Sequence, residues 1–216
     1  MRNDNPVIAI LGIHTGIGKT ITSAVMTEAL GAHYWKPVQA GLEERDTETV
    51  SRLITNGPAR VHPEAVQLKM PASPHTAAAA EGILIDHTSF LFPKVDAPLL
   101  VETAGGVLSP ISHNATMADF VAHFQLPAIL VSQNYLGSIN HTLAAVEVIR
   151  QRGIPLLGIV MNGTPEPSSE SFIESYTGVP IIARVPHFQD VNHHDVAACA
   201  RALRPALQSV VASPAH

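Results

Sequence analysis

The chain has a single cysteine, Cys199, in 216 residues. That excludes an internal disulfide framework and fits a reducing compartment. Cys199 lies in an apolar helical run, Val196-Ala197-Ala198-Cys199-Ala200, where it reads as inert filler. Positive charge is not in excess either. Thirteen Lys and Arg face eighteen Asp and Glu for a formal net charge of −5, so there is no electrostatic footprint for nucleic acid. No apolar run approaches the about 20 residues that cross a bilayer. Met1 to Pro6 lacks the layout of a signal peptide, so a cytoplasmic protein without membrane contact is expected. There is no repeat, linker or low-complexity tract, only a loose tail at Ser213 to His216. What remains is 46% hydrophobic and 14% charged. That suits one sizeable core and a single domain over 1–216, with the tail beginning near 212.

The most informative stretch is Gly12-Ile13-His14-Thr15-Gly16-Ile17-Gly18-Lys19-Thr20. It follows the apolar run Val7 to Leu11 and leads into Ile21 to Met26, which reads as buried strand, glycine-rich turn and amphipathic helix. In such a turn backbone N–H groups converge on a phosphate, and the dipole of the following helix adds to the attraction. Lys19 supplies a point charge for the outer phosphates, and the Thr20 hydroxyl is placed to ligate magnesium. The strict pattern G-x-x-x-x-G-K-[ST] asks for glycine where Ile13 stands, with Gly12 one place early. A turn that merely joins strand to helix would explain the glycines but gives Lys19-Thr20 no packing role.

Further along, apolar strands alternate with helices. Strands are expected at Tyr34 to Val38, Val66 to Met70, Leu99 to Glu102, Ala128 to Val131, Leu156 to Met161 and Ile181 to Val185. Helices are expected through Val50 and Leu53, at His75 to Gly82, Met117 to Phe124, Ser138 to Arg152, Ser168 to Tyr176 and Asp195 to Val211. Asn56-Gly57-Pro58 ends the first of these, and Ser138 reads as the N-cap of its helix, which Gly153 closes. This alternation signals a doubly wound α/β domain with a mostly parallel sheet, helices on both faces and ligands at the carboxyl ends of the strands.

Polar residues stand at several of those strand ends. Thr20, Asp46 and Glu102 would serve magnesium, which takes hard oxygen ligands. Lys36, beside the loop lysine, would stabilise charge on a transferred phosphoryl group. Asp46, in the loop before Thr47, could equally cap a helix, and Lys36 could equally be a solvated strand-end lysine. Glu102 is the stronger candidate, because an ionised carboxylate rarely ends so apolar a strand without a partner. There are twelve histidines. The densest group, His193-His194-Asp195, lacks ligand spacing elsewhere and reads as a solvated turn.

Taken in order, these segments resemble the ATP-dependent dethiobiotin synthetases, enzymes of the P-loop class. The resemblance runs from about Val7 to about Pro186. The family's G-T-D-T-x-V-G-K-T is similar to Gly12 through Thr20, displaced glycine included, and its K-P-V-x-[ST]-G to Lys36-Pro37-Val38-Gln39-Ala40-Gly41. Its S-P-H appears as Ser73-Pro74-His75, its V-E-G-A-G-G resembles Val101 through Gly106, and its L-G-x-I-N-H appears as Leu136 through His141. The resemblance implies ATP as co-substrate, magnesium, and closure of 7,8-diaminopelargonic acid with carbon dioxide into a cyclic urea. By this resemblance Gly12, His14, Thr15, Gly16, Ile17, Gly18, Lys19 and Thr20 hold the nucleotide phosphates, and Thr15 approaches the reacting groups. Thr20, Asp46 and Glu102 surround magnesium, and Lys36 neutralises the carbamate and the migrating phosphoryl group. Asn162 reads the adenine edge, with Pro186-His187-Phe188 beside the base. Ala40, Ser73 and Gly105 fall on the substrate side. Ser138, Ile139 and Asn140 match a helix start that receives the substrate's far carboxylate from a partner subunit, which implies a homodimer with shared sites.

Two positions depart from the family pattern. Ala40 replaces a serine or threonine and removes a hydroxyl worth about 1 kcal/mol. His14 replaces an aspartate with a group that titrates near neutrality. Neither removes a metal ligand or a lysine, so activity is expected to survive. Partitioning and cell-division ATPases share the fold, but His14 stands where their extra lysine belongs. A cobyrinate-type amidotransferase would need a further glutaminase-like domain. A paralogue that binds nucleotide without turning over a diamine has only Ala40 and His14 in its favour.

Overall fold

The computed structural model describes residues 5–212. The tail at Ser213 to His216, and Met1 to Asp4 of the segment read for a signal peptide, lie outside them. In chain order the strands are β1 (Val7–Gly12), β2 (His33–Trp35), β3 (Val38–Ala40), β4 (Val61–His62), β5 (Val66–Leu68), β6 (Leu99–Glu102), β7 (Ala128–Gln133), β8 (Leu156–Asn162) and β9 (Ile181–Val185). The helices are α1 (Lys19–Leu30), α2 (Asp46–Leu53), α3 (Gly57–Arg60), α4 (Pro74–Ala80), α5 (Met117–His123), α6 (Ser138–Gln151), α7 (Pro167–Thr177) and α8 (His193–Ala212).

Seven strands form one sheet in the order β4-β2-β6-β1-β7-β8-β9, and every neighbouring pair is parallel. Alternation along a strand divides the apolar residues between two faces. Ile8 and Ile10 of β1 join the core beneath α1 and α8, with Ile129 of β7. Ala9 and Leu11 join the opposite core, which includes Phe120 of α5 and Val146 of α6. β1 lies between β6 and β7 in the middle of the sheet, so the loop after it opens where the connections diverge to either side, the usual place for a ligand.

The structure departs from the sequence reading in four places. Tyr34 to Val38 is not one strand. Pro37 has no N–H to give to a ladder; β2 stops at Trp35, and β3 pairs instead with β5 in a separate two-stranded sheet. Asp46 is not in a loop but opens α2, whose N-cap is Arg45. Asn56-Gly57-Pro58 does not simply end a helix. It opens the single turn α3, which feeds β4 at the sheet edge. Ser138 is not the N-cap of α6. Gly137, at φ 98°, takes that position, and Ser138 is the first helical residue, where its Oγ accepts from the Tyr135 N–H at 3.3 Å.

At α5 the helix start is closed by a reciprocal pair. Asp119 Oδ2 accepts from the Thr116 N–H at 2.8 Å, and Thr116 Oγ1 accepts from the Asp119 N–H at 3.4 Å. Arg152 also donates to Asp119 at 2.9 Å. Partial burial opposes these bonds, yet they hold the carboxyl below its ordinary 3.8. Asp119→Ala is expected to lower stability by about 1 kcal/mol. Because the folded value is depressed, that contribution is present above pH 3.8 and is lost as pH falls through the lowered value. Melting curves of the two proteins should therefore converge in acid.

Candidate active site

The loop from Gly12 to Gly18 leaves the carboxyl end of β1 and delivers Lys19 and Thr20 as the first residues of α1. Lys19 folds back over the loop and donates to the His14 carbonyl at 3.1 Å. A Cβ on Gly12 would come within 2.8 Å of the Lys19 Cδ, so the displaced glycine makes room for this return. Gly18, at φ 82°, packs against the Asn162 amide, and a Cβ there would overlap it. Asn162, at the end of β8, donates to the Ile17 carbonyl at 2.8 Å and so ties the loop to the sheet.

Behind the loop, four charged groups meet. Glu102 ends β6 at 1% exposure, and Lys36 follows β2 at 7%. Lys36 Nζ is paired with Asp46 and stands 3.7 Å from Glu102 Oε1. The alternative of a solvated lysine is thereby excluded, and α2 has no side-chain cap, which excludes a capping role for Asp46. Thr20 donates to Asp46 and lies 3.2 Å from Glu102 Oε1. Ser23 and Tyr34, absent from the sequence reading, hold Glu102 Oε2 at 2.7 and 3.1 Å. Ser23 was findable, since it lies one helical turn beyond Thr20. Tyr34 was read only as the start of a strand, since nothing in His33-Tyr34-Trp35 marks its hydroxyl.

Burial dominates the electrostatics. It raises the Glu102 carboxyl, against the pull of Lys36 and Lys19, and it pushes the Tyr34 phenol well up, so that this hydroxyl remains a donor. Burial also lowers Lys19, with Lys36 adding repulsion. For Lys36 burial pulls down, but Glu102 and Asp46 outweigh it and raise the ammonium above its ordinary 10.5. Two cations thus face two carboxylates in a site closed to water on one side.

The oxygens of Thr20, Asp46 and Glu102 are hard donors linked through the threonine hydroxyl. Among the described residues no group of three or more His, Cys, Asp or Glu is placed to hold a metal. The donor set therefore fits a cation whose shell is completed by phosphate oxygens and water, as is usual for magnesium. His193 and His194 sit in the first turn of α8, with His193 Nδ1 3.2 Å from the Leu53 carbonyl.

Outward from Lys36 opens a cavity of about 470 Å³. Thr15, Lys36, Ala40, Asp46, Ser73 and Gly105 all line it, together with Ser109, which the sequence reading passed over. Ser138, Ile139 and Asn140 are not part of it. They begin α6, and Ile139 and Asn140 line a separate apolar cavity of about 770 Å³ beside the fully exposed Leu136. Pro186 follows β9 and is exposed, as is His187; Phe188 is half-buried.

A lysine and threonine opening the helix after a central parallel strand, with carboxylates at neighbouring strand ends, define a P-loop nucleotide-binding protein. A family model described as an AAA domain matches residues 7–195. ATP-dependent dethiobiotin synthetase BioD of Nitrobacter hamburgensis is 45% identical over 83% of this chain and 85% of its own, and that of Agrobacterium fabrum is 45% identical over 85% and 87%. The chain belongs to the ATP-dependent dethiobiotin synthetase family. Its fold is also that of the Aquifex aeolicus cell division protein MinD, with a TM-score of 0.53 at 12% identity over 96% of this chain and 97% of its own. A ParA family ATPase from Chlorobium tepidum gives 0.51 at 14% identity, over 96% of this chain and 97% of its own. These likenesses concern architecture alone.

Proposed function

We propose that this chain converts 7,8-diaminopelargonic acid, carbon dioxide and ATP into dethiobiotin, ADP and phosphate. The observation that carries the residue assignment is Lys36, buried between Asp46 and Glu102 at the mouth of a cavity that reaches Thr15 of the nucleotide loop. One amine of the substrate attacks carbon dioxide and, after losing a proton, is a carbamate. A carbamate oxygen takes the γ-phosphoryl group and ADP leaves. The second amine then attacks the carbamoyl carbon, phosphate departs, and the ureido ring is closed.

In this reading the loop N–H groups and Lys19 grip the β and γ phosphates. Lys36, held in its charged form, offsets the negative charge that carbamate and phosphoryl group bring together. Thr15 lies on the cavity wall, within reach of the same atoms. Thr20, Asp46 and Glu102 would hold Mg2+, which draws charge from the phosphate oxygens. Asn162 and the segment 186–188 bound the base side. The start of α6, where free N–H groups suit a carboxylate, serves the active site of a second subunit, so the working unit is a homodimer in the cytoplasm.

The test is phosphate release from ATP with magnesium and bicarbonate, with and without the diamine, alongside mass detection of the cyclic urea. Diamine-dependent release matched by ring product is expected. Tight ATP binding with no response to the diamine would sink the assignment.

A further inference from the structure

The cavity on Lys36 is lined by donors whose protons can be followed one by one. Ser73 Oγ lies 3.0 Å from His75 Nδ1 and 3.1 Å from Thr76 Oγ1, so it is occupied at the start of its own helix. Gln39 spends its amide on backbone carbonyls, at 3.0 Å for that of Gly41. Asp46 already accepts from Thr20 and Lys36. Ala40 presents only a methyl group.

Ser109 is different. Its Oγ accepts from the Gly106 N–H at 2.7 Å, and among the described residues it makes no bond as donor. A hydroxyl has one proton and two acceptor positions. With Gly106 occupying one acceptor position, the proton points away from that nitrogen. Gly105 leaves the room this side chain occupies, since a Cβ there would overlap the Ser109 Oγ. The hydroxyl is thus anchored and uncommitted where Ser109 lines both the cavity that holds Lys36 and a neighbouring one of about 440 Å³.

We infer that Ser109 is a substrate-recognising residue, its hydroxyl donating to an anionic oxygen of the carbamate on a wall where Ala40 gives no hydrogen bond. This rests on the reaction proposed above. Ser109 adds direction to the charge that Lys36 supplies, because a hydroxyl donates along one line whereas an ammonium is a compact point charge.

The test is a double-mutant cycle on the full chain with Ser109→Ala, Ala40→Ser and their combination, read as kcat/KM for the diamine, KM for ATP and melting temperature. S109A is expected to lower diamine kcat/KM about tenfold, the scale of one hydrogen bond to a charged group. KM for ATP should hold, while the melting temperature falls modestly because the buried Gly106 N–H loses its acceptor. A40S should raise diamine kcat/KM by a larger factor in the S109A background than in wild type, since coupling shows as non-additivity. If S109A loses more stability than that, Ser109→Cys keeps the volume with a weak donor and carries the same expectation. A diamine kcat/KM within twofold of wild type, or equal effects of A40S in both backgrounds, overturns the assignment of Ser109 alone. No ring product from wild type would overturn the reaction, and the role of Ser109 with it.

Discussion

Lys36→Ala is expected to lower diamine-dependent phosphate release about a thousandfold, the scale at which removing a preorganised electrostatic contact to a developing charge is felt. Nucleotide binding should survive, because Lys19 and the loop N–H groups remain. A fluorescent-nucleotide titration beside the turnover assay separates the two. Lys36→Arg should not rescue the rate, since a planar fork cannot replace a compact ammonium wedged between Asp46 and Glu102. The raised ammonium value also sets the pH course. The folded state holds this proton more tightly than the unfolded chain, so the stabilising charge is complete below pH 10.5 and is lost only as pH rises through the folded value. Activity that depends on this charge should therefore show no loss from Lys36 on the way from pH 7 to 9. An alkaline limb centred near neutrality would contradict the assignment.

Glu102→Ala is expected to have the largest effect on stability. The carboxylate is the shared partner of Ser23, Tyr34 and Thr20 and lies within ion-pair range of Lys36. Its removal leaves two buried hydroxyls without acceptors and a buried ammonium with a single counter-charge. The cost should be about 3 kcal/mol, which for a domain of this size lowers the melting temperature by roughly 10 °C. Glu102→Gln keeps the shape and an acceptor, so it should recover most of that loss while turnover stays low. Scanning calorimetry and the phosphate assay together test this. Equal loss of stability in both variants would mean that charge, and not hydrogen bonding, holds this part of the core.

How far the sequence leads depends on whether chemistry and local structure coincide. At Gly12 to Thr20 they do, because the same glycines that admit a phosphate also force the turn. At Leu99 to Glu102 a carboxylate after an apolar run is itself the anomaly that marks a site, and the strand lies where its pattern predicts. The Tyr34 to Val38 segment is read as one strand because its side chains suit one. Pro37 warned of a break, but the partner of β3 lies some 28 positions on, from Val38 to Val66, and no local pattern names it. The segment 83–98 is similar. Phe90 and Phe92 pack edge-on against Trp35, at 6.2 and 5.2 Å between centroids, without any regular element of their own. Contacts of that kind are tertiary and leave no period. Ser109 escaped for another reason: a serine after a leucine in a loop has no signature until Gly106 and the cavity wall are placed around it.

Because the backbone changes sheets at Lys36 and Pro37, the two halves of the site answer to different constraints. The nucleotide half is locked into the register of the large sheet, where a shift in β1 or β6 would disturb the whole ladder. Part of the cavity wall is Gln39 and Ala40 of β3, whose partner β5 shares no strand with that ladder. Val38 and Leu68 of that pair are buried in the large core, so reshaping what is accepted at little cost in folding falls to Ala40, the half-buried residue that ends β3 on the cavity wall, while the phosphate chemistry stays intact.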